Sequence, residues 1–274
     1  MKLKLKKFDM RLVSHNKICV LIGKRDTGKS FLTKDILYYH QDIPAGTIIS
    51  GTESANHFFS GFVPKIFIHE EYKASITEDF AKRQKKLIAR KEAGETDIDE
   101  RAFFVMDDCL YDDGSWKKDK NIRWIFMNGR HYGILFLLTM QYPLGIGPNL
   151  RTNIDYVFIL RENIVGNRRR IYENFAGMFP TFEIFQSIMD QCTENYECLV
   201  IHNNAKSNKI EDQVFWYRAE DHEQFQMCIP EMWANNRPFQ SAMMAANQFD
   251  PASAARRNVP NVWVKKVGSN ALPE

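Results

Sequence analysis

The chain has no paired-cysteine motif, no apolar stretch of membrane-spanning length and hardly any excess charge. Its five cysteines, Cys19, Cys109, Cys192, Cys198 and Cys228, are odd in number and scattered. With no C-x-x-C pair among them, a disulfide scaffold and a zinc ribbon are excluded, and reduced thiols in a cytosol-like compartment are expected. The longest apolar run, Gly133–Thr139 (GILFLLT), falls far short of the about 18 residues a membrane helix needs. The amino-terminal MKLKLKKFDM carries lysines but no apolar core of a signal peptide. A soluble intracellular protein is expected. Lys and Arg total 37 against 34 Asp and Glu, a formal net charge of +3. Binding to a polyanion must therefore rest on local basic patches.

What is present is an ordinary globular balance: 274 residues, 44% hydrophobic and 26% charged. A chain of this length can bury a core without disulfides or metal. A strand-like run, Lys17–Ile22, leads into a glycine-containing loop, and Phe31–Tyr39 behind it has near-helical apolar spacing. Short apolar runs at Thr47–Ser50 and Lys65–His69 follow, then a polar helical stretch, Glu78–Glu100. The continuous apolar run Ala102–Met106 suits a strand buried on both faces. Trp116–Asn128 is predicted helical, and Ile134–Thr139 and Tyr156–Leu160 as further buried strands. Helices are predicted over Asn167–Phe175 and Phe182–Gln191, and edge strands over Glu197–His202 and Gln213–Tyr217. This alternation predicts an α/β fold with a mostly parallel sheet flanked by helices. Beyond Pro230 the periodicity fades, so residues 1–229 are expected as one domain and 230–274 as a partly irregular tail that includes Asn261–Lys266.

Gly23-Lys24-Arg25-Asp26-Thr27-Gly28-Lys29-Ser30 matches G-x-x-x-x-G-K-[ST] in full. The glycines let backbone N–H groups wrap phosphates, and the following helix points its positive end at them. Lys29 would reach the β- and γ-phosphates of ATP, and the Ser30 hydroxyl would ligate Mg²⁺. A strand precedes the loop and a helix follows, the context that separates a P-loop from a chance glycine loop.

Asp107 and Asp108 end the run AFFVM. Strand carboxyl ends are where α/β sheets hold ligands. Asp107 there can hold magnesium, and Asp108 can orient and deprotonate the attacking water. Two adjacent carboxylates repel, so a nearby cation is needed to keep both ionised. The bland alternative is a pair of solvated loop aspartates, since Asp112 and Asp113 follow closely. Gln141 ends the next apolar run, where it can sense the γ-phosphate or hold the water, with Thr139 and Tyr142 as weaker choices. Candidates for an arginine finger are Arg130, ranked first, Arg151 and Arg161. The basic stretches Lys82–Lys91 and Arg168-Arg169-Arg170 read equally as a nucleic-acid channel or as solvated helix faces. Trp116, Trp124, Trp216 and His131 read as structural.

Together GKRDTGKS, FFVMDD, GRHYGILFLLTMQ and NLRTNIDYVFILRE resemble the packaging ATPases of large nucleocytoplasmic DNA viruses, within the FtsK–HerA group of P-loop translocases. The resemblance spans roughly Lys17–Glu162. It implies a RecA-like sheet with an extra strand between the Walker strands. It also implies a homo-oligomeric ring that couples ATP hydrolysis to pulling double-stranded DNA into a capsid, with a capsid or portal-like viral protein as partner. The implied location is host cytoplasm at assembly sites, and the virion. By position, Lys29 and Ser30 serve phosphates and Mg²⁺, Asp107 the metal, Asp108 the water and Gln141 the sensor role. Cellular members commonly have Asp-Glu at the Walker B end; the shorter Asp108 reaches about one methylene less. Three rivals stand beside the packaging motor: a P-loop nucleotide or small-molecule kinase, an ATP-binding scaffold with little hydrolysis, which has no use for a water-activating acid, and, nearer, a cellular helicase or plasmid-transfer motor of the same chemistry.

Overall fold

In the computed structural model, β1 (Lys6–Lys7), β2 (Ile18–Ile22), β3 (Ala45–Ser50), β4 (Ile68–His69), β5 (Ala102–Asp107), β6 (Ile134–Met140), β7 (Tyr156–Ile159), β8 (Glu197–His202) and β9 (Val214–Arg218) form one sheet. The structure describes residues 3–109, 115–142 and 145–234. Asp112, Asp113 and the tail from residue 235 lie outside them. The strand order is β1–β9–β8–β7–β2–β6–β5–β3–β4. From β7 across to β4 every pairing is parallel; β8 runs antiparallel to both β7 and β9, and β1 joins β9 in parallel. This is the P-loop NTPase, RecA-like arrangement, with β6 standing between the phosphate-loop strand β2 and the acid-bearing strand β5.

Every residue of β2, β3, β5, β6 and β7 is buried, because helices and loops cover both faces. Alternate side chains feed two separate cores. Val20, Ile22, Phe104, Met106, Phe136 and Leu138 face one side. There they meet α3 (Ala74–Glu92), α4 (Lys120–Asn128), α6 (Val165–Phe175) and α7 (Phe182–Cys192) through Phe80, Ile125, Phe175 and Phe185. Leu21, Val105, Leu137 and Phe158 face the other side, against Leu32, Ile36 and Leu37 of α1 (Lys29–Tyr38). At about 25 cal/mol per Å² of apolar area removed from water, this two-sided burial is the main stabilising contribution.

Several boundaries differ from the sequence expectation. The helix after the glycine loop begins at Lys29, two residues earlier than periodicity indicated, because Lys29 and Ser30 are polar and carry no hydrophobic signal. Lys65–Phe67 is a 3-10 turn, and only Ile68–His69 pair as strand. Trp116–Asn128 divides into a 3-10 turn over Ser115–Lys118 and then α4, whose start is capped by Asp119 accepting from Asn121 N–H. The expected edge strands are interior ones: β8 lies between β7 and β9, and β9 is flanked on its outer side by Lys6–Lys7. The amino-terminal lysines, which carry no strand signal, form that edge; such charged, short edges resist pairing with other chains.

Candidate functional site

Gly23 and Gly28 are required at the phosphate loop for different reasons. A Cβ on Gly23 would stand 2.6 Å from Thr27 Oγ1 and 2.9 Å from Leu160 Cβ, so no side chain fits. Gly28 instead has φ +97°, a backbone that L side chains rarely adopt. It precedes α1 and provides no side-chain cap, so the first-turn N–H groups face the loop, a built anion-binding end. Within the loop, Thr27 Oγ1 donates to Lys24 O at 2.7 Å.

Lys29 is buried at the start of α1, and its ammonium donates to the carbonyl oxygens of Gly23 and Lys24, both at 2.7 Å. Burial lowers its pKa from the ordinary lysine value, opposed by the charges of Asp108, Asp107 and Asp26. Lys29 is thus the cation that the adjacent carboxylates need. Ser30, Asp107 and Asp108 line with it a cleft of about 520 Å³, whose lining also includes Phe31, Thr52, Asn56 and Phe58.

The two carboxylates differ in environment. Asp107 closes β5 and is buried; its Oδ1 accepts from Thr139 Oγ1 at 2.7 Å and its Oδ2 from Ser50 Oγ at 3.3 Å. Burial pushes its carboxyl above the ordinary carboxylate range, and the Thr139 hydrogen bond pulls it partly back. Asp108 turns out of the strand with φ +50° and is half-buried. Its N–H donates to Thr139 Oγ1 at 3.0 Å, and the Gln141 amide donates to both of its carboxylate oxygens at 2.7 Å. One hydroxyl on β6 therefore fixes the side chain of one acid and the backbone of the other.

Gln141 is legible in the sequence beside the acids; Thr139 is a weaker choice there, and Ser50 carries no functional signal. Both are hydroxyls on strands flanking β5, at register positions beside its end: Ser50 pairs with Asp107. The only signal available was a polar residue near the end of an apolar strand. Glu162 is likewise silent in the sequence, yet it is buried and ion-paired with Lys24 at 2.9 Å. Glu162 also accepts from Ile164 N–H at 2.8 Å and from the Asn167 amide at 3.1 Å, tying the phosphate loop to the end of β7. Burial pushes its carboxyl up, but these bonds outweigh that and hold it below the usual value.

The arginines separate by position. Arg130 is exposed before β6, at the amino-terminal ends of the parallel strands, beside Ile18, Asn153 and Asp155. That is the end of β6 opposite Gln141, roughly 20 Å away at 3.3 Å per strand residue. Within one chain Arg130 is not brought to the phosphate loop. Arg161 is, lining a second cleft beside Lys24–Thr27. Arg151 lies over the Phe175 ring at 5.8 Å. In the basic stretch of α3, Lys82, Arg90 and Lys91 pair with Glu78, Glu95 and Glu100, and Lys85 lies over Trp124. Arg168 pairs with Asp190, and Arg169 and Arg170 lie over Phe182 and Tyr142. Each of these cations thus has a carboxylate or aromatic partner within the fold, and Lys82, Arg90 and Lys91 make theirs on exposed surface. Trp116 is core, and Trp124 packs edge-on against Tyr132.

A divalent cation fits the oxygen donors present. Magnesium keeps several waters and takes one or two side-chain ligands besides phosphate oxygens, so the Ser30 hydroxyl and the Asp107 carboxylate suffice. Among the described residues no cluster of three or more His, Cys, Asp and Glu is placed to hold a metal. No helix among them is long and apolar enough to cross a membrane.

Over 223 residues the chain is 38% identical to uncharacterized protein L437 of Acanthamoeba polyphaga mimivirus, covering 80% of this chain and 78% of that protein. The chain belongs to the L437 family. Protein 075L of Invertebrate iridescent virus 6 is a further relative, 42% identical over 193 residues, 69% of this chain and 71% of that one. No protein-family model matches the chain. Among solved structures, the genome packaging NTPase B204 from Sulfolobus turreted icosahedral virus 2, in complex with AMP, is similar with TM-score 0.54 at 16% identity. That match covers 76% of this chain and 100% of B204, so the L437 family member shares the B204 fold.

Proposed function

We propose that the chain is an ATP-hydrolysing motor of the FtsK–HerA group that translocates double-stranded DNA, packaging a viral genome into its capsid. The observation that carries this reading is the meeting of Lys29, Asp107 and Asp108 in one cleft, with Gln141 held on Asp108. A phosphate-binding cation, a metal-binding acid and a water-orienting acid are the parts that hydrolysis needs. The relatives' viral sources and the fold shared with the packaging NTPase B204 support the same reading.

Lys29 would exchange its two carbonyl bonds for oxygens of the β- and γ-phosphates, a favourable exchange for a desolvated cation. Ser30 and Asp107 would hold Mg²⁺, which supplies neutralisation of charge on the phosphate oxygens. Asp108 takes the proton of the water whose oxygen bonds to the γ-phosphorus, as the bond from that phosphorus to the β–γ bridging oxygen breaks. Gln141 keeps the Asp108 carboxylate aimed and is the residue through which the γ-phosphate is sensed. Arg130, at the amino-terminal end of its own sheet and so away from its own phosphate loop, is assigned to the nucleotide of a neighbouring subunit in a homo-oligomeric ring. DNA contacts are to the backbone, so they tolerate sequence and weaken with salt. A capsid or portal-like protein is the docking partner, in the infected cell's cytoplasm.

Steady-state ATP hydrolysis tests the reading, at low salt and at protein concentrations that favour assembly, with and without long duplex DNA. Duplex DNA should stimulate hydrolysis by the wild type, and Asp108→Asn should abolish the stimulated rate. ATP binding without hydrolysis under any DNA condition would overturn the motor.

A further inference from the structure

The phosphate loop separates two clefts, and the acids account for only one of them. The second, of about 460 Å³, has Lys24, Arg25, Asp26 and Thr27 as one wall, Arg161 and Asn163 after β7 as another, and Thr193, Asn195 and Tyr196 before β8 as the third. Its size suits a nucleoside.

Tyr196 is the unusual member. It is 65% exposed, the most exposed of the large hydrophobic side chains among the described residues. Its backbone has φ +64° and that of Asn195 φ +50°, left-handed in succession, a conformation that bulky side chains rarely adopt. The turn is nonetheless well anchored: Glu197 N–H donates to Glu194 O at 2.8 Å, and buried Thr193 Oγ1 donates to Met189 O at 2.7 Å. The ring is held against the loop itself, since a Cβ on Gly28 would lie 3.5 Å from Tyr196 Cδ1. A strained, exposed aromatic fixed beside a phosphate-binding glycine gains nothing for the core.

We infer that this second cleft is the base subsite, in which Tyr196 is the stacking platform for a purine and the Asn163 and Asn195 amides meet the base edge. The inference rests on the nucleotide reading of the phosphate loop and adds the specificity-determining part of it. A nucleotide with its terminal phosphates in the acid-lined cleft crosses the loop at Gly28 and puts its base on the Tyr196 side. Amides present both donors and acceptors, as a purine edge requires. Arg161, whose Nε donates to Asn163 Oδ1 at 3.2 Å, then stands beside the same chain's nucleotide as a positioning residue rather than a trans-acting finger.

Binding of ATP and of inorganic tripolyphosphate, each with Mg²⁺, is to be measured on the full chain, on Tyr196→Ala and on Tyr196→Phe. Stacking on an aromatic ring predicts that Tyr196→Ala weakens ATP about tenfold or more, while Tyr196→Phe keeps it. Tripolyphosphate, which has no base, should bind all three alike, and this also reports that the loop is intact. Unchanged ATP affinity in Tyr196→Ala overturns the base subsite and leaves the phosphate loop standing. Equal loss of both ligands in Tyr196→Ala also overturns it, by making the ring a prop for the loop. If the wild type binds neither ligand, the nucleotide reading itself falls, and the subsite with it.

Discussion

Thr139 is the residue on which the acid pair depends most directly, and replacing it by valine separates its hydroxyl from its shape. Thr139 is fully buried in β6; its Oγ1 donates to Asp107 at 2.7 Å and accepts from Asp108 N–H at 3.0 Å. Valine keeps the β-branch and volume, so no cavity opens and strand propensity is retained. The loss is one hydrogen bond to a carboxylate and the acceptor of a backbone N–H, together about 2–4 kcal/mol of folding stability. Thr139→Ser keeps the hydroxyl and loses a buried methyl, about 1 kcal/mol. The stability order by urea unfolding should therefore be wild type, then serine, then valine, although valine is closer in size. Asp107 adds a pH signature. Its folded pKa is raised by burial, so the ionised carboxylate costs stability at neutral pH, and the cost fades as pH falls through the raised value. Valine raises that pKa further, so its deficit should narrow toward acid pH. In ATP hydrolysis, kcat should fall at least tenfold with a smaller change in KM, since Thr139 acts through the acids. A valine variant as stable as wild type, or more stable than serine, would refute the reasoning.

Two further outcomes follow from the loop. Glu162→Gln should cost about 1–3 kcal/mol at pH 7, through the weakened bonds to Lys24, Ile164 and Asn167. Because the folded Glu162 pKa is depressed, its contribution is complete above the unfolded value of about 4.3 and is lost as pH falls through the folded value. The wild-type and variant urea midpoints should thus converge in acid. Gly28→Ala has room, its Cβ meeting Tyr196 at 3.5 Å, but is forced to φ +97°. It should lose about 1–2 kcal/mol and a few degrees of melting temperature, read by calorimetry.

Legible from residue order alone were the parts whose chemistry is written in consecutive residues. GKRDTGKS is contiguous because a loop wrapping phosphates uses neighbouring backbone groups, and its strand and helix are signalled by local periodicity. Asp107 and Asp108 were legible because an all-apolar strand ending in two acids breaks its own pattern. Fully buried strands read clearly for the same reason: helices on both faces demand continuous apolar runs.

Whatever depends on strand order emerged with folding, because hydrogen bonds across a sheet join residues that sequence does not relate. That β6 stands between β2 and β5 is what brings Thr139 and Gln141 onto the acids. The Lys24–Glu162 pair and the approach of Tyr196 to Gly28 likewise span long stretches of chain. Lys6–Lys7 became a strand through pairing with β9, not through any propensity of lysine. Arg130 and Gln141 are close in sequence yet lie at opposite ends of one strand: an extended chain advances about 3.3 Å per residue, and a parallel sheet gathers ligands at only one of its ends.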